Sequence, residues 1–467
     1  MKNEKKIIGL STITLVASMG GFLFGFDMAV VSGVLPLVQE QFALTAAESG
    51  WFVSSALVGC IIGVIISGEL SDRFGRKKPL ILTSVLFVLS ALGCALMTNL
   101  PGVIVARLIG GIGVGIASNV VPLYISEIAP QKIRGRLVTY YQFALTFGIL
   151  VAYLSNAALL NTASASSGDG AFSAIFVDEV WRGMLGVGVV PAVLFFIGVL
   201  FIPESPRWLI KNGRTAEGIE IISSITRLPK AEIELQYQMN QVTEKGSYKD
   251  LLAPGFRKAL IIGILLPLFS QFSGINAIIY YGPSILNNAG ISLSNSLISQ
   301  IIFGVANMLF TLIAIWKVDS WGRRPLYIYG TAGATISLAL TGICFYTGAT
   351  ESIWLLICVL AFLACFAFSI GPLKFVVASE IFPNAIRGRA LAISIMVMWV
   401  ADTIVGQITP ILLDNIGTAG TFFFFSFFCL IAFFTVLKLL PETKGKSLEQ
   451  IENDWKAEGD KTPVFVH

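Results

Sequence analysis

Twelve long apolar runs constrain the fold of this chain more than any other feature. A helix needs about 20 apolar residues to cross the hydrocarbon core of a bilayer. Only 13% of the 467 residues are charged and 55% are hydrophobic, whereas about 25% of an ordinary soluble domain is charged. We therefore predict an all-α membrane protein with twelve transmembrane helices, which begin near Ile7, Ser49, Pro79, Gly102, Val138, Arg182, Ala259, Leu297, Leu326, Ser352, Ala390 and Thr421.

The positive charges lie on one side of the predicted membrane. With the N-terminus in the cytoplasm, all but three of the 32 lysines and arginines fall in the inner segments, as the positive-inside rule requires. The first apolar run, Ile7 to Phe26, is longer than the roughly 7–15 residues of a secretory signal core, so we expect an uncleaved first span. These patterns predict a multi-pass protein of the cell (inner) membrane with both termini cytoplasmic.

The chain also contains an internal repeat. Residues 126–136 read SEIAPQKIRGR and residues 379–389 read SEIFPNAIRGR, while DRFGR at 72–76 recurs as DSWGR at 319–323. Two pseudo-symmetric six-helix bundles around a central site are typical of secondary transporters. We therefore predict an N-terminal bundle (1–203), a cytoplasmic linker with short helices (204–254), a C-terminal bundle (255–441) and a cytoplasmic tail (442–467).

Other features of the sequence argue against several functional classes. The net charge of +4 is too small to indicate a nucleic-acid partner. The GKS at 445–447 lacks the earlier glycine of a phosphate-binding loop. The only histidine is His467, so we expect no histidine metal site, and a proton carrier within the membrane must be a carboxylate. We also see no nucleophile–base set, and expect neither an enzyme nor a cofactor.

Four short motifs resemble a known family. The sequence GELSDRFGRK at 68–77 resembles the loop signature between the second and third spans of the major facilitator superfamily. PESPRWL at 203–209 and PETKGKSL at 441–448 look like the signatures of its sugar porter family, and QFSGINAIIYY at 271–281 looks like that family's seventh span. The motifs agree in order and spacing over nearly the whole chain, so the chain is identified as similar to bacterial sugar:proton symporters.

The resemblance implies a function and a binding site. Members of the family carry a hexose or pentose, such as glucose, galactose, xylose or arabinose, by rocking two bundles around it. Amides offer donors and acceptors to neighbouring hydroxyls, and aromatic faces cover the apolar side of a sugar ring. The residues that would contact the sugar by this resemblance are Phe24, Gln142, Gln271, Asn276, Tyr280, Asn307, Gly371, Phe375 and Trp399.

The sequence departs from the family at four of the positions that surround this site. A second glutamine often precedes Gln271, a tryptophan is usual at Phe375 and an amide at Met398, and bacterial symporters often have a glutamine at Ile149. Because a site built for a hydroxyl rejects analogues that lack it, these changes alter which sugar is expected to fit. Pentose, hexose and polyol substrates all stay open.

Asp27 and Arg107 are the expected proton-coupling residues. Asp27 lies 21 residues beyond Lys6, or roughly 31 Å of helix, and Arg107 lies about 9 Å into the fourth span. An unpaired charge in the membrane is costly, so we expect these two residues to pair, and proton-coupled family members keep an aspartate at this position. Our hypothesis is that protonation of Asp27 releases Arg107 and favours closure of the outer side; the alternative is a static ion pair.

Lys374 and Asp402 are charges that the resemblance does not predict. Lys374 lies about 9 Å from the inner surface and Asp402 about 22 Å, and their side chains lean toward each other along their helices. We predict a candidate intramembrane ion pair, direct or through water. The alternative is that Lys374 reaches the cytoplasm while Asp402 lies in a watery cavity.

Charged residues also cluster at the inner helix ends of both halves. Single surface ion pairs contribute only about 0–1 kcal/mol, but a repeated network can bias one conformation. By resemblance, these residues form a latch that exists only when the inner side is closed. Its members are Asp72, Arg76, Glu127, Arg134, Glu204, Asp319, Arg323, Glu380, Arg387 and Glu442.

Two other functions stay open at this stage. A facilitative sugar or polyol uniporter would use the same site without Asp27, and a non-transporting sugar sensor would usually add a longer tail than residues 442–467. We expect a functional monomer in the lipid bilayer whose partners are a monosaccharide and a proton.

Overall fold

The structure is a computed structural model that describes residues 9–130, 133–165, 173–226, 228–233, 251–253, 256–288, 290–349, 353–382, 384–444, 450–451 and 455. Over these residues the chain is helical and has no β-strand. Twelve of the helices that it describes are long and apolar enough to cross a membrane. The predicted fold class, an all-α membrane protein with twelve spans, is therefore confirmed.

We number the spans 1 to 12 along the chain. The first six are Leu10–Phe42, Ala46–Phe74, Lys77–Leu96, Leu100–Ile128, Arg134–Ala165, and a sixth built from Val180–Gly186 and Val189–Phe201. The last six are Arg257–Phe272 with Ile275–Asn288, Leu293–Trp321, Arg323–Tyr346, Ile353–Cys365 with Gly371–Glu380, Asn384–Asn415 and Gly417–Leu439. Short π-helical turns, Ala174–Asp178 and Phe366–Ile370, precede span 6 and interrupt span 10.

Local sequence signals set several helix boundaries. The Thr45 hydroxyl accepts a hydrogen bond from the Glu48 backbone N–H, and the Glu48 carboxylate accepts one from the Thr45 N–H. This capping box satisfies two N–H groups that the first turn of span 2 leaves without partners. Asn99 caps span 4 in the same manner by accepting from the Gly102 N–H.

The predicted linker contains two short helices, Pro206–Lys211 and Thr215–Thr226. The second helix is amphipathic and buries Ile219 and Ile221. Short helices were predicted in this segment, and this prediction is confirmed.

Residue contacts divide the chain into two compact units. Unit 1 comprises residues 1–241, 279–287 and 292–304, and unit 2 comprises residues 242–278, 288–291 and 305–467. Within unit 1, span 1 packs on span 5 and span 3 on spans 4 and 6; within unit 2, span 7 packs on span 11 and span 9 on spans 10 and 12. These three helix pairings thus recur in the second unit, as the sequence repeat indicates.

Glycines allow the closest helix contact in unit 1. A Cβ on Gly111 of span 4 would lie 1.9 Å from the Ala56 carbonyl oxygen of span 2, and one on Gly115 would lie 2.2 Å from that of Cys60. Small residues let membrane helices approach in this way. Gly111 and Gly115 therefore allow the close packing of spans 2 and 4.

Candidate functional site

A break in span 7 positions two amide side chains in unit 2. The first helix of the span ends at Phe272 and the second begins at Ile275. Gly274 joins them with a φ of +82°, and a Cβ at this position would lie 2.6 Å from the Phe425 ring. Glycine tolerates this backbone conformation. Gln271 therefore lies at the end of one helix and Asn276 in the first turn of the next.

These amides form a hydrogen-bonded chain with Asp402 of span 11. The Asn276 Nδ2 donates to Gln271 Oε1 at 2.9 Å and to Asp402 Oδ1 at 2.7 Å. Gln271 and Asp402 are 5% and 2% exposed, and Asn276 is half-buried. Buried polar groups of this kind are costly unless they are hydrogen-bonded, so this chain fixes the orientation of all three side chains.

Lys374 of span 10 lies beside the same chain. Its Nζ donates to Ser270 Oγ at 2.9 Å, and Ser270 immediately precedes Gln271. Lys374 is 7% exposed and Ser270 is fully buried. The charges of Lys374 and Asp402 interact electrostatically. The sequence predicted an ion pair between Lys374 and Asp402, direct or through water. It did not indicate that Ser270 and Asn276 are their hydrogen-bond partners.

Three further residues from the predicted binding set lie in unit 2. Asn307 of span 8 and Trp399 of span 11 are buried. Gly371 follows the π-helical turn of span 10. The side chain of Phe375, which was also predicted to bind, lies outside the described residues.

The other three predicted binding residues belong to unit 1. Phe24 of span 1 and Gln142 of span 5 are half-buried. Tyr280 in the second helix of span 7 is buried, and its hydroxyl lies 3.5 Å from the Met28 sulfur of span 1. Aromatic and amide groups are therefore present in this unit too.

Asp27 and Arg107 both lie within unit 1, but the expected ion pair is absent. Over the described residues, no Asp27 oxygen lies within 4.0 Å of an Arg107 nitrogen. Arg107 Nε donates to the Phe52 carbonyl oxygen at 2.9 Å, and its guanidinium carbon lies 4.8 Å from the centre of the Phe52 ring. No direct ion pair is therefore present in this structure, where span 2 provides Arg107 with other contacts and the charges of Asp27 and Arg107 interact at longer range. The pairing of these two residues stays a prediction.

The Asp27 carboxylate instead faces a small cavity between spans 1, 3 and 6. Ser90, Cys94 and Gly188 also line this cavity, whose volume of about 20 Å³ is about that needed for one water molecule. Asp27 Oδ1 lies 3.8 Å from the position of a Cβ on Gly110, which is one helical turn from Arg107. The buried Nη1 of Arg107 has no hydrogen-bond partner in the part of the chain that the structure describes.

The helix ends of unit 1 that were predicted to face the cytoplasm form a charge cluster around Arg76. Arg76 binds Glu127 through two N–H donors at 2.7 Å, and the Arg76 backbone N–H donates to Glu204 Oε1 at 2.7 Å. The Ser205 hydroxyl donates to Glu127 at 2.5 Å. A bidentate arginine–carboxylate contact is a strong one, so this cluster connects the ends of spans 3, 4 and 6.

Unit 2 contains the equivalent cluster around Arg323. Arg323 Nη2 donates to Glu380 at 2.8 Å, its backbone N–H donates to Glu442 at 3.0 Å, and the Thr443 hydroxyl donates to Glu380 at 2.6 Å. Although burial opposes ionisation of Glu442, backbone N–H donors that include those of residues 444, 323 and 324 hold its pKa below the usual value.

Ser205 and Thr443 were not among the residues predicted for these clusters. The signal was present, because each hydroxyl residue follows the glutamate of a Pro-Glu motif in its own half, at 203–205 and 441–443.

The remaining charges of the predicted latch have weaker or undescribed contacts. Asp72 is exposed and lies 3.7 Å from Arg76 and 3.8 Å from Lys211. Arg387 donates to the Phe382 carbonyl oxygen at 3.0 Å. The side chains of Arg134 and Asp319 lie outside the described residues.

Comparisons with known proteins cover nearly the whole chain. A family model described as "Sugar (and other) transporter" matches residues 13–455. The arabinose-proton symporter of Bacillus subtilis is 40% identical over 445 residues, 95% of this chain and 94% of that protein. The D-xylose-proton symporter of Escherichia coli K12 is 38% identical over 97% of this chain and 96% of its own length. A structure of the E. coli xylose transporter, titled partially occluded inward open, is 36% identical with a TM-score of 0.80, and covers 94% of this chain and 99% of that chain.

Proposed function

Because the chain belongs to the sugar porter family of the major facilitator superfamily, we propose that it imports a monosaccharide together with a proton. The transport cycle is alternating access in the inner membrane with both termini cytoplasmic, and the functional unit is a monomer. The relatives described above are named for arabinose and xylose, which supports a pentose as the first substrate to test, with hexoses next.

The observation that carries this proposal is the buried amide pair of span 7. Asn276 uses its Nδ2 for Gln271 and Asp402, which leaves the Asn276 Oδ1 and the Gln271 Nε2 without partners among the described residues. One acceptor and one donor suit two neighbouring hydroxyls. Neither atom is among the buried polar atoms that lack a partner, so both are accessible to a ligand.

We propose that the other residues expected from the resemblance also contact the sugar. Aromatic rings of Phe24, Tyr280, Phe375 and Trp399 would cover the apolar faces of the ring. Gln142, Asn307 and Gly371 would approach its hydroxyls through side-chain amides and, for Gly371, through backbone.

Asp27 is the proposed proton carrier. Its half-buried carboxylate has no hydrogen bond within the described chain and faces a cavity that is large enough for a water molecule. When Asp27 is ionised, the unpartnered Nη1 of Arg107 is the nearby cationic donor to which it turns. Protonation removes that attraction, and Arg107 stays bound to Phe52. Protonation of Asp27 thus changes the free energy of burying Asp27 and Arg107, and so the relative stability of the conformations in the transport cycle.

The clusters around Arg76 and Arg323 are proposed to bias the conformational equilibrium. In this structure each connects helix ends within its own unit. They keep the inner end of each unit rigid, so that the unit moves as one body, and residues such as Asp72 and Arg387 supply the weaker contacts that change during the cycle.

Sugar uptake by membrane vesicles tests the proposed function. Right-side-out vesicles that contain the protein receive an imposed inward proton gradient and a panel of labelled D-xylose, L-arabinose, D-glucose and D-galactose. We expect accumulation of at least one sugar that a protonophore abolishes, together with alkalinisation of the medium when sugar is added. Equilibration without alkalinisation would indicate a uniporter, and absence of uptake would contradict transport of these sugars.

A further inference from the structure

Two opposite charges are buried against the amide pair of unit 2. Asp402 and Lys374 are 2% and 7% exposed, and a single buried charge would be strongly unfavourable without a counter-charge. Asp402 accepts from Asn276, and Lys374 donates to Ser270, the residue before Gln271. Asp402 thus contacts the amide pair directly and Lys374 contacts the residue that precedes it. The two charges sum to zero, which favours a neutral substrate over an acidic sugar.

The Asp402 carboxylate fixes which way the Asn276 amide faces. An ionised carboxylate only accepts hydrogen bonds, whereas an amide has a donor end and an acceptor end. Asn276 must therefore turn its Nδ2 toward Asp402, at 2.7 Å. The second hydrogen of the same Nδ2 is used by Gln271 Oε1 at 2.9 Å, so both donors of Asn276 are occupied.

The same contacts fix the polarity of Gln271. Because its Oε1 accepts from Asn276, its Nε2 is the end that is left for a ligand. A neutral amide at position 402 could donate as well as accept, and either orientation of Asn276 would then be satisfied. The ionised state of Asp402 is what removes this freedom, and Lys374 supplies the compensating positive charge.

We propose that Asp402, together with Lys374, is a specificity-determining positioning residue that sets the hydrogen-bond polarity of the sugar site. This inference rests on the proposed function. In this arrangement Asn276 presents only an acceptor and Gln271 presents only a donor. The sugar hydroxyl at Asn276 must therefore donate its hydrogen, and the hydroxyl at Gln271 must accept one.

Deoxy and fluoro sugars distinguish these two polarities. A deoxy analogue lacks both the donor and the acceptor of the hydroxyl, whereas a fluoro analogue lacks the donor but keeps a weak acceptor. At the hydroxyl that contacts Asn276, both analogues should bind about tenfold or more weakly than the parent sugar, because both lose the required donor. At the hydroxyl that contacts Gln271, the fluoro analogue should bind better than the deoxy analogue.

The experiment compares the wild type with the double variant Lys374→Met/Asp402→Asn. The purified full chain is tested for equilibrium binding of D-xylose, L-arabinose and D-glucose, and then of the monodeoxy and monofluoro series of the sugar that binds best. In the double variant the Asn276 amide can turn over and donate to the ligand. We therefore expect the loss of affinity caused by fluorine at the hydroxyl that contacts Asn276 to become about tenfold smaller. The parent sugar should still bind. An exposed acid on the same helix provides the matched control, Asp414→Asn, which should keep the wild-type pattern.

Each outcome bears on a different part of the inference. If the ratio of fluoro to deoxy affinity is the same in the wild type and the double variant at every hydroxyl, the polarity proposal is wrong although sugar binding stands. If the wild type binds none of the sugars, the proposed function fails and this inference fails with it. The single variant Asp402→Asn should be less thermally stable than the double variant, because it leaves Lys374 without its counter-charge; equal stability would contradict the role of Lys374.

Discussion

At the scale of single residues, two glycines explain why the same short motif occurs in both halves. Gly75 and Gly322 have a φ of +89°, and a Cβ on them would lie 2.3 Å from Glu204 and 2.8 Å from Glu442. The backbone N–H groups that follow each glycine donate to the same carboxylate. Glycine is therefore needed both for the left-handed conformation and for the close approach of the carboxylate.

Replacement of Gly75 by alanine should destabilise the protein. The φ of +89° and ψ of −172° at Gly75 lie in a region occupied essentially only by glycine, where alanine costs of order 1–3 kcal/mol. The new methyl group would also displace Glu204 from the Arg76 N–H. We expect a lower melting temperature for Gly75→Ala in a thermal unfolding assay of the purified protein. Gly68→Ala is the matched control, because its Cβ meets nothing within 4 Å and alanine gains about 0.5–1 kcal/mol over glycine in a helix. Equal melting temperatures for the two variants would refute this explanation.

The sequence indicated which residues carry the chemistry, but not all of their partners. Gln271, Asn276 and Asp402 were all identified, and span 7 and span 11 bring them into one hydrogen-bonded chain. The pairing of Asp27 with Arg107 was inferred from their depth in the membrane, from the cost of an unpaired charge and from the family resemblance. None of these specifies the direction in which a side chain leaves its helix. The Phe52 carbonyl oxygen of a third helix, span 2, was a partner that no motif indicated.

At the scale of helices, hydropathy predicted every span, because lipid requires each crossing segment to satisfy its backbone internally. The local departures from regular helix were not predicted. The break at Gly274 and the π-helical turn Phe366–Ile370 depend on packing against neighbours, such as the Phe425 ring beside Gly274. Both departures adjoin residues proposed to bind sugar, Asn276 and Gly371, so the least predictable backbone lies where function is proposed.

The contact between spans 2 and 4 should depend on Gly111 more than on Gly113 of the same helix. A methyl group on Gly111 would lie 1.9 Å from the Ala56 carbonyl oxygen, and backbone cannot move without separating the helices. A methyl group on Gly113 would meet Leu86 at 3.3 Å, a contact that a shift of a few tenths of an ångström relieves. We expect Gly111→Ala to cost about 1–3 kcal/mol of stability and Gly113→Ala much less, as measured by thermal unfolding. A similar loss in both variants would show that glycine is not required for this contact.

At the scale of the whole molecule, the internal repeat predicted two halves with the same charge cluster, and the two units each contain one. Other buried charges occur in only one of the two units. Asp27 and Arg107 occur in unit 1, while Asp402 and Lys374 occur in unit 2. The duplicated parts therefore serve the scaffold, and the parts that differ are those to which we assign the proton and the choice of sugar.

This division of roles leads to a prediction about the complete transport cycle. A carboxamide at position 27 cannot bind or release a proton, so Asp27→Asn should resemble a permanently protonated carrier. The variant should still exchange labelled for unlabelled sugar across vesicles, because sugar binding and the movement of the halves do not need the carboxylate. It should not accumulate sugar. A gradient of about one pH unit drives about tenfold accumulation per proton carried, but only when sugar and proton are transported together.

Asp414→Asn, which neutralises an exposed carboxylate, should retain both exchange and accumulation. Accumulation by Asp27→Asn would place the proton site elsewhere, and loss of exchange as well would mean that Asp27 is needed for folding or sugar binding rather than for coupling.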